Sequence, residues 1–153
     1  MSDEQFTRSY QMHKNSVYAV IFHYVRNDAD ASELLQETFM RLYTNEKPFD
    51  SDEHEKAWLI KVTINCSKNL LNSKFLKNTE ELKEEIAFET EERHEIYYAV
   101  QKLPVKYKTI IHLYYYENYK ISEISKILRM KENTVKSYLA RAREKLKMEA
   151  EVI

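Results

Sequence analysis

Apolar positions recur along this chain at the spacing of a helix face. Val17, Val20, Ile21 and Tyr24 fall at i, i+3, i+4 and i+7. Leu34, Leu35, Thr38, Phe39 and Leu42 continue the pattern, and Leu59, Val62, Cys66 and Leu70 form another stripe. These stripes predict three or more amphipathic helices between about 5 and 75. The stretch NEKPFDSDEHEK at 45–56 has no period and carries Pro48, so it reads as a loop. Further helices are expected near 95–102, 105–116, 121–128 and 132–147. Pro104 suits the first turn of the second of these, where a missing N–H costs little.

Residues 77–95 break the periodicity. KNTEELKEEIAFETEERHE is acidic with few apolar positions and reads as a linker. Fully extended, it would span on the order of 60 Å. The expected organisation is therefore all-α: two small helical domains, 1–76 and 96–153, joined by an acidic linker at 77–95.

Composition sharpens this picture by exclusion. The 153 residues include no glycine, against an average usage of about 7%. A Walker-type phosphate loop, a dinucleotide-binding GxGxxG and a GxSxG nucleophile elbow all need glycine, so none is present. Tight hairpins also lean on glycine, which argues against an all-β fold. The longest apolar run, VYAVIF at 17–22, is far too short to span a membrane, and the MSDEQ start lacks an apolar signal region. With Cys66 alone there is no internal disulfide, and a cytoplasmic protein with no membrane insertion is expected. The net charge of −1 hides an asymmetry: −2 over 1–76, −5 over 77–95 and +6 over 96–153. A basic end on a near-neutral chain suggests a localised footprint for an anionic partner.

The segment ISEISKILRMKENTVKSYLARAREKL at 121–146 reads as helix, three-residue turn, helix. Ile124, Leu128, Met130 and Val135 have the spacing that packs two short crossing helices, and the small Ser125 lets them approach. With Val135 at 0° and about 100° per residue, Leu139, Ala142 and Leu146 fall within about 40° of it. Lys136, Ala140, Arg143 and Lys147 fall at roughly 80–140°, Ser137 near 200° and Arg141 near 240°. One face is apolar; the other carries donors suited to phosphate oxygens and guanine edges. A solvated basic face is the plain alternative.

From LPVKYKTIIHLYYYENYKISEI (103–124) to Leu146, with TVKS at 134–137 followed by ARAREKL at 140–146, the chain resembles region 4 of bacterial sigma factors, in the extracytoplasmic-function subgroup of the sigma-70 family. DADASELLQETFMRLY at 28–43 resembles region 2.2 of the same family, and KAWLIKVTINCSKNLLNSK at 56–74 resembles regions 2.3 and 2.4. Trp58, Leu59, Val62 and Asn65 match the usual pattern there, whereas Asn69 stands where Asp is common, and Asn72 and Ser73 where Arg is common.

The resemblance implies an initiation factor that binds core RNA polymerase, directs it to promoters and helps melt them. It implies no cofactor and no chemistry of the protein's own. Lys136, Ser137 and Arg141 match the base-reading positions for the −35 element, with Lys131, Thr134 and Arg143 on the phosphates. Lys61, Asn65, Lys68, Asn69 and Lys74 would meet the −10 strand, with Asn65 foremost for base contact. The loop around Phe49 to His54 would read the extruded base. Asp30, Glu33, Leu34, Gln36, Glu37 and Phe39 would bind core polymerase. An anti-sigma factor is a further partner the family admits. The acidic linker resembles the family's nucleic-acid mimic, although its charge pattern equally suits a solvated tether.

Other features read as structural. His13, His23, His54, His94 and His112 show no metal-ligand spacing with one another or with Cys66. Trp58 reads as core more than as a stacking platform. Tyr114, Tyr115, Tyr116 and Tyr119 read as side chains bridging core and surface more than as a base-stacking cluster. Two other functions stay open at this stage: a stand-alone helix-turn-helix regulator, and a sigma-like interaction module that never binds DNA. The absence of glycine bears on one local detail. In this family glycine is common in the turn of the helix-turn-helix and in the loop before it, where this chain has Arg129 and Asn118.

Overall fold

The long helices of the amino-terminal half begin at polar caps supplied locally. Helix α1 spans Asp3–Tyr24, and Ser2 opens it with a reciprocal pair. The Gln5 N–H donates to Ser2 Oγ at 3.1 Å, and the Ser2 N–H donates to Gln5 Oε1 at 3.0 Å. Helix α2 spans Asp28–Thr44. Its cap is Asn27, whose Oδ1 accepts from the Asp30 N–H at 2.7 Å while its Nδ2 donates to Asp30 Oδ2 at 2.6 Å. Helix α3 spans Asp52–Lys77. The computed structural model describes the backbone of residues 1–77 and 100–152, with side chains for 1–73 and 100–147. The expected linker therefore lies, from residue 78 onward, outside the described residues.

Helix α3 starts inside the segment expected to be a loop. The loop is 45–51, not 45–56. Hydrophobic period cannot reveal this first turn, because residues 52–54 are exposed. Polar signals specify it instead. Ser51 Oγ accepts from the His54 N–H at 3.1 Å, and Asp52, Glu53 and Glu55 set negative charge against the positive end of the helix dipole.

The chain forms two compact units, Met1–Ile86 and Ala87–Ile153. In the first, α1, α2 and α3 pack pairwise against one another. The stripe from α1 is buried in full: Val17, Val20, Ile21 and Tyr24. From α2 come Ala31, Leu34, Thr38, Phe39 and Leu42. Helix α3 touches both neighbours, so its buried side is wider than a single stripe. It includes Leu59, Ile60, Thr63, Ile64, Cys66 and Ser67, while Val62 and Leu70 are only half-buried. Buried Thr63 satisfies its hydroxyl by donating to the Leu59 carbonyl at 2.6 Å. Each fully buried Leu or Ile here contributes about 1.5–3 kcal/mol relative to exposure.

A titratable contact lies within this core. His13 on α1 and Glu55 on α3 are both buried, with His13 Nε2 3.1 Å from Glu55 Oε1. Burial pushes the His13 pKa down, against the opposing pull of the Glu55 charge.

In the second unit, helical residues 100–102 precede helix α4, Val105–Ile111. A π-helical segment, His112–Tyr116, continues it. Helix α5 spans Ile121–Leu128 and helix α6 spans Glu132–Val152. The core joins Val100, Leu103, Tyr107, Ile110 and Ile111 to Leu139 and Ala142 of α6. Ile124 of α5 and Val135 of α6 are fully buried at the crossing of the two helices.

The two positions flagged by the missing glycine are the described residues with positive φ: Asn118 at 59° and Arg129 at 54°. Asn118 lets the Tyr119 N–H fold back onto the Leu113 carbonyl at 3.0 Å. Arg129 ends α5, and the Met130 N–H then returns to the Ser125 carbonyl at 3.0 Å. Ser125 closes the turn a second time, its hydroxyl donating to the Met130 carbonyl. The small side chain thus also supplies a bond across the turn.

Two outcomes follow from these packing details. Asn tolerates the left-handed region, whereas Arg pays roughly 1–2 kcal/mol there, partly offset in glycine by a freer unfolded chain. Arg129→Gly should therefore be neutral or stabilising by up to about 1 kcal/mol in denaturant unfolding; a clear loss of stability would contradict this account of the turn. The depressed His13 pKa means that the unfolded state binds the proton more readily. Stability should be full above the ordinary histidine value of about 6.5 and fall as pH drops through it. Melting curves should show a decline of a few degrees on acidification, flattened in His13→Gln; equal decline in both proteins would place the dependence elsewhere.

Candidate nucleic-acid interface

Helix α6 is divided lengthwise. Val135, Leu139 and Ala142 are buried and Leu146 is half-buried. Lys136, Ser137, Ala140 and Arg141 are exposed on the other side, with Lys131 exposed just before the helix and Thr134 half-buried in its first turn. The side chains expected to meet DNA therefore share one accessible surface, except that Thr134 is partly shielded. The helix owes this aim to α5 and the left-handed turn, which seat its apolar side on Ile124 and the α4 core.

Arg143 is placed differently from its neighbours. Its Nε donates to the Tyr115 hydroxyl at 2.6 Å. Its guanidinium carbon lies 5.5 Å from the Tyr114 ring centroid and 5.6 Å from that of Tyr115. The hydrogen bond to Tyr115 pushes the Arg143 pKa further up, so the cation is permanent. Periodicity in α6 could not disclose this cage, because Tyr115 lies 28 residues earlier in the chain and Tyr114 just before it.

On α3, Asn65, Lys68, Asn69 and Asn72 are exposed and Lys61 is half-buried. Their spacing of 4, 3, 1 and 3 residues keeps them on one side of the helix. Lys74 follows on the same helix, but its side chain lies outside the described residues. The row is rich in carboxamides, which both donate and accept hydrogen bonds.

Trp58 is half-buried rather than core. It packs against Phe49 of the preceding loop, centroids 5.4 Å apart, and Phe49 also meets the His54 ring at 5.3 Å. The loop is pinned to the start of α3 by the Asp50 N–H donating to His54 Nδ1 at 3.0 Å. Arg8 of α1 grips Asp52 with two bonds of 3.2 and 3.0 Å. A groove of about 750 Å³ runs beside the loop, lined in part by Arg8, Tyr43, Lys47 and Phe49.

The candidate polymerase-binding residues of α2 separate into two groups. Glu33, Gln36 and Glu37 are exposed. Asp30, Leu34 and Phe39, also expected to bind core polymerase, are buried in their own unit and do not share that exposed surface. Asp30 belongs to the Asn27 cap. Leu34 is core, and Phe39 packs against the rings of Tyr10 and Phe6 at 4.9 and 6.3 Å. An exposed apolar residue on this side is Met40, 53% accessible, one turn beyond Gln36 and Glu37. Its place on the polar side of the helix, at i+3 and i+4 from them, was the signal in the sequence.

Cys66 is buried, and burial pushes its thiol pKa up, away from nucleophilic or ligating use. No described helix is long and apolar enough to cross a membrane.

These features coincide with two family matches. Residues 9–74 match the Sigma-70 region 2 family and residues 93–146 match Sigma-70, region 4. The chain is 30% identical to the RNA polymerase sigma factor SigV of Bacillus subtilis over 135 residues, which cover 85% of this chain and 81% of SigV. It is 30% identical to the ECF RNA polymerase sigma factor SigM of the same organism, covering 90% of each. The fold is similar to that of the sigma factor RpoE from Bartonella quintana, solved in complex with the anti-sigma factor NepR. That match has a TM-score of 0.75 at 18% identity and covers 97% of this chain and 98% of the other. The chain belongs to the sigma-70 family of RNA polymerase sigma factors, in its extracytoplasmic-function subgroup.

Proposed function

We propose that this sigma factor divides promoter recognition between its two units, with α6 reading the −35 element and α3 holding the −10 strand. As a member of its family it is a transcription initiation factor that binds core RNA polymerase and promoter DNA. The observation that carries the division of labour is the split surface of α6, with Val135, Leu139 and Ala142 buried beneath exposed Lys136, Ser137 and Arg141. In a major groove those three side chains meet base edges, while Lys131, Thr134 and Arg143 meet phosphates.

The row on α3 suits a different substrate. Bases that have left the stack expose edges that a carboxamide can pair with. Asn65, Asn69 and Asn72 supply those groups, Lys61 and Lys68 face phosphates, and Phe49 with Trp58 offers aromatic surface at the loop. Glu33, Gln36 and Glu37, joined by Met40, form the contact with core polymerase. The chain performs no chemistry itself in this reading, works in the cytoplasm and needs no cofactor. An anti-sigma factor is a natural additional partner, as one is for the structurally similar RpoE.

The two alternatives fare less well. A stand-alone helix-turn-helix regulator leaves the region 2 match over 9–74 without a role. A decoy that never binds DNA leaves the exposed cations of α6 without one.

Reconstitution with core polymerase on a random promoter library tests the reading as a whole. Promoter-specific transcripts are expected; tight core binding without any would favour the decoy. Arg141→Ala should cost about 1–3 kcal/mol at the −35 element and relax one base preference. Equal loss on every −35 variant would make Arg141 a phosphate contact instead. Glu37 makes an exposed pair with Arg41 at 3.1 Å and also accepts a hydrogen bond from the Cys66 thiol. Glu37→Lys should change fold stability by about 1–2 kcal/mol, the sum of the surface pair and the thiol bond, while weakening core binding by roughly 1–3 kcal/mol. Unchanged core affinity would remove Glu37 from the interface.

A further inference from the structure

We propose that Tyr115 is a positioning residue for promoter binding, its hydroxyl and ring holding Arg143 ready for a phosphate of the DNA backbone at the rim of the α6 surface. The proposal rests on the reading of α6 as the −35 helix.

Geometry is the first support. Tyr115 accepts from Arg143 Nε at 2.6 Å, and the guanidinium lies over both Tyr114 and Tyr115. The two rings are nearly perpendicular, centroids 4.9 Å apart. Consecutive side chains on an α-helix diverge by about 100°, so neighbours seldom converge on one partner. Here both belong to the π-helical segment, whose i→i+5 closure widens the turn.

The second support is charge. Arg8 and Arg41 are paired with Asp52 and Glu37, which cancels much of their attraction for an anion. Among the described residues, Arg143 is held by tyrosines and has no carboxylate partner. Its side chain is ordered without being neutralised. Loss of rotamer freedom is met on folding rather than on binding, which is what preorganisation means. Tyr115 is 50% accessible, so the held cation lies at the open surface and not inside the core.

Place on the helix is the third. Arg143 lies at roughly 80° from the buried line, on the same edge as Lys136 and Lys147. A side chain at that edge faces the wall of a groove, where the phosphates are, rather than its floor.

The test uses the full chain assembled with core polymerase, binding duplex DNA that carries the −35 element over a range of KCl concentrations. Tyr115→Phe keeps the ring and removes the hydroxyl. It should lower affinity about threefold to tenfold, equally for every −35 sequence, with the melting temperature unchanged. Arg143→Ala should lower affinity and make the slope of log K against log salt shallower by about one. Adding Tyr115→Phe to Arg143→Ala should then change nothing further. Arg143→Lys keeps the charge but loses the Nε bond, and should likewise be indifferent to Tyr115→Phe.

Unchanged affinity in Tyr115→Phe, with a clear loss in Arg143→Ala, would overturn the positioning role. So would additive losses in the double variant. If Arg141→Ala also leaves binding intact, the −35 reading of α6 fails and this proposal falls with it. A loss in Arg141→Ala alone overturns only the role of Tyr115.

Discussion

A helix can bury only part of its circumference when it packs against one or two neighbours. That constraint governs this protein, because its described regular structure is helical throughout. Every helix that commits a stripe to a core must leave the opposite stripe in water. In α6 the remainder is cationic; in α3 it is a row of carboxamides and lysines. The functional surfaces are thus the complement of the packing.

The same constraint explains which expectations succeeded. The α6 surface was legible because its buried stripe is a single clean repeat, so the exposed side followed by angle alone. The left-handed residues Asn118 and Arg129 were legible for another reason. The family pattern often has glycine at both places, which marks returns that use positive φ, and without glycine Asn and Arg occupy them. Leu34 and Phe39 show the limit. A helix wheel separates apolar from polar but does not say whether the apolar stripe meets its own domain or a partner. With α1 and α3 packed on it, the stripe is already in use. The first turn of α3 and the tyrosine cage were hidden for opposite reasons, one being too exposed to leave a hydrophobic signal, the other depending on contacts between distant segments.

The turn between α5 and α6 illustrates how a locally unfavourable choice is sustained. Arg129 in the left-handed region is costly in isolation. The surrounding bonds nevertheless point one way: the Met130 N–H to the Ser125 carbonyl, the Ser125 hydroxyl to the Met130 carbonyl, and Ile124 against Val135 behind them. A strained residue persists when its neighbours over-determine its conformation. The strain lies close to the exposed face of α6, so the aim of that helix depends on a turn stabilised from outside itself.

The two exposed rows also differ in the physics by which they would hold nucleic acid. Lysine and arginine on α6 attract any phosphate backbone through long-range charge, and the attraction weakens steeply with salt. Carboxamides carry no net charge and act only at hydrogen-bonding distance, on edges that a paired duplex keeps occupied. A protein with both rows can therefore meet closed DNA through one unit and gain from opening it through the other. Asn72 and Ser73, standing where the family pattern more often has Arg, push α3 further in this direction. They exchange charge for hydrogen-bonding capacity, so that in the proposed division of labour the opened strand is held less by its phosphates and more by its bases.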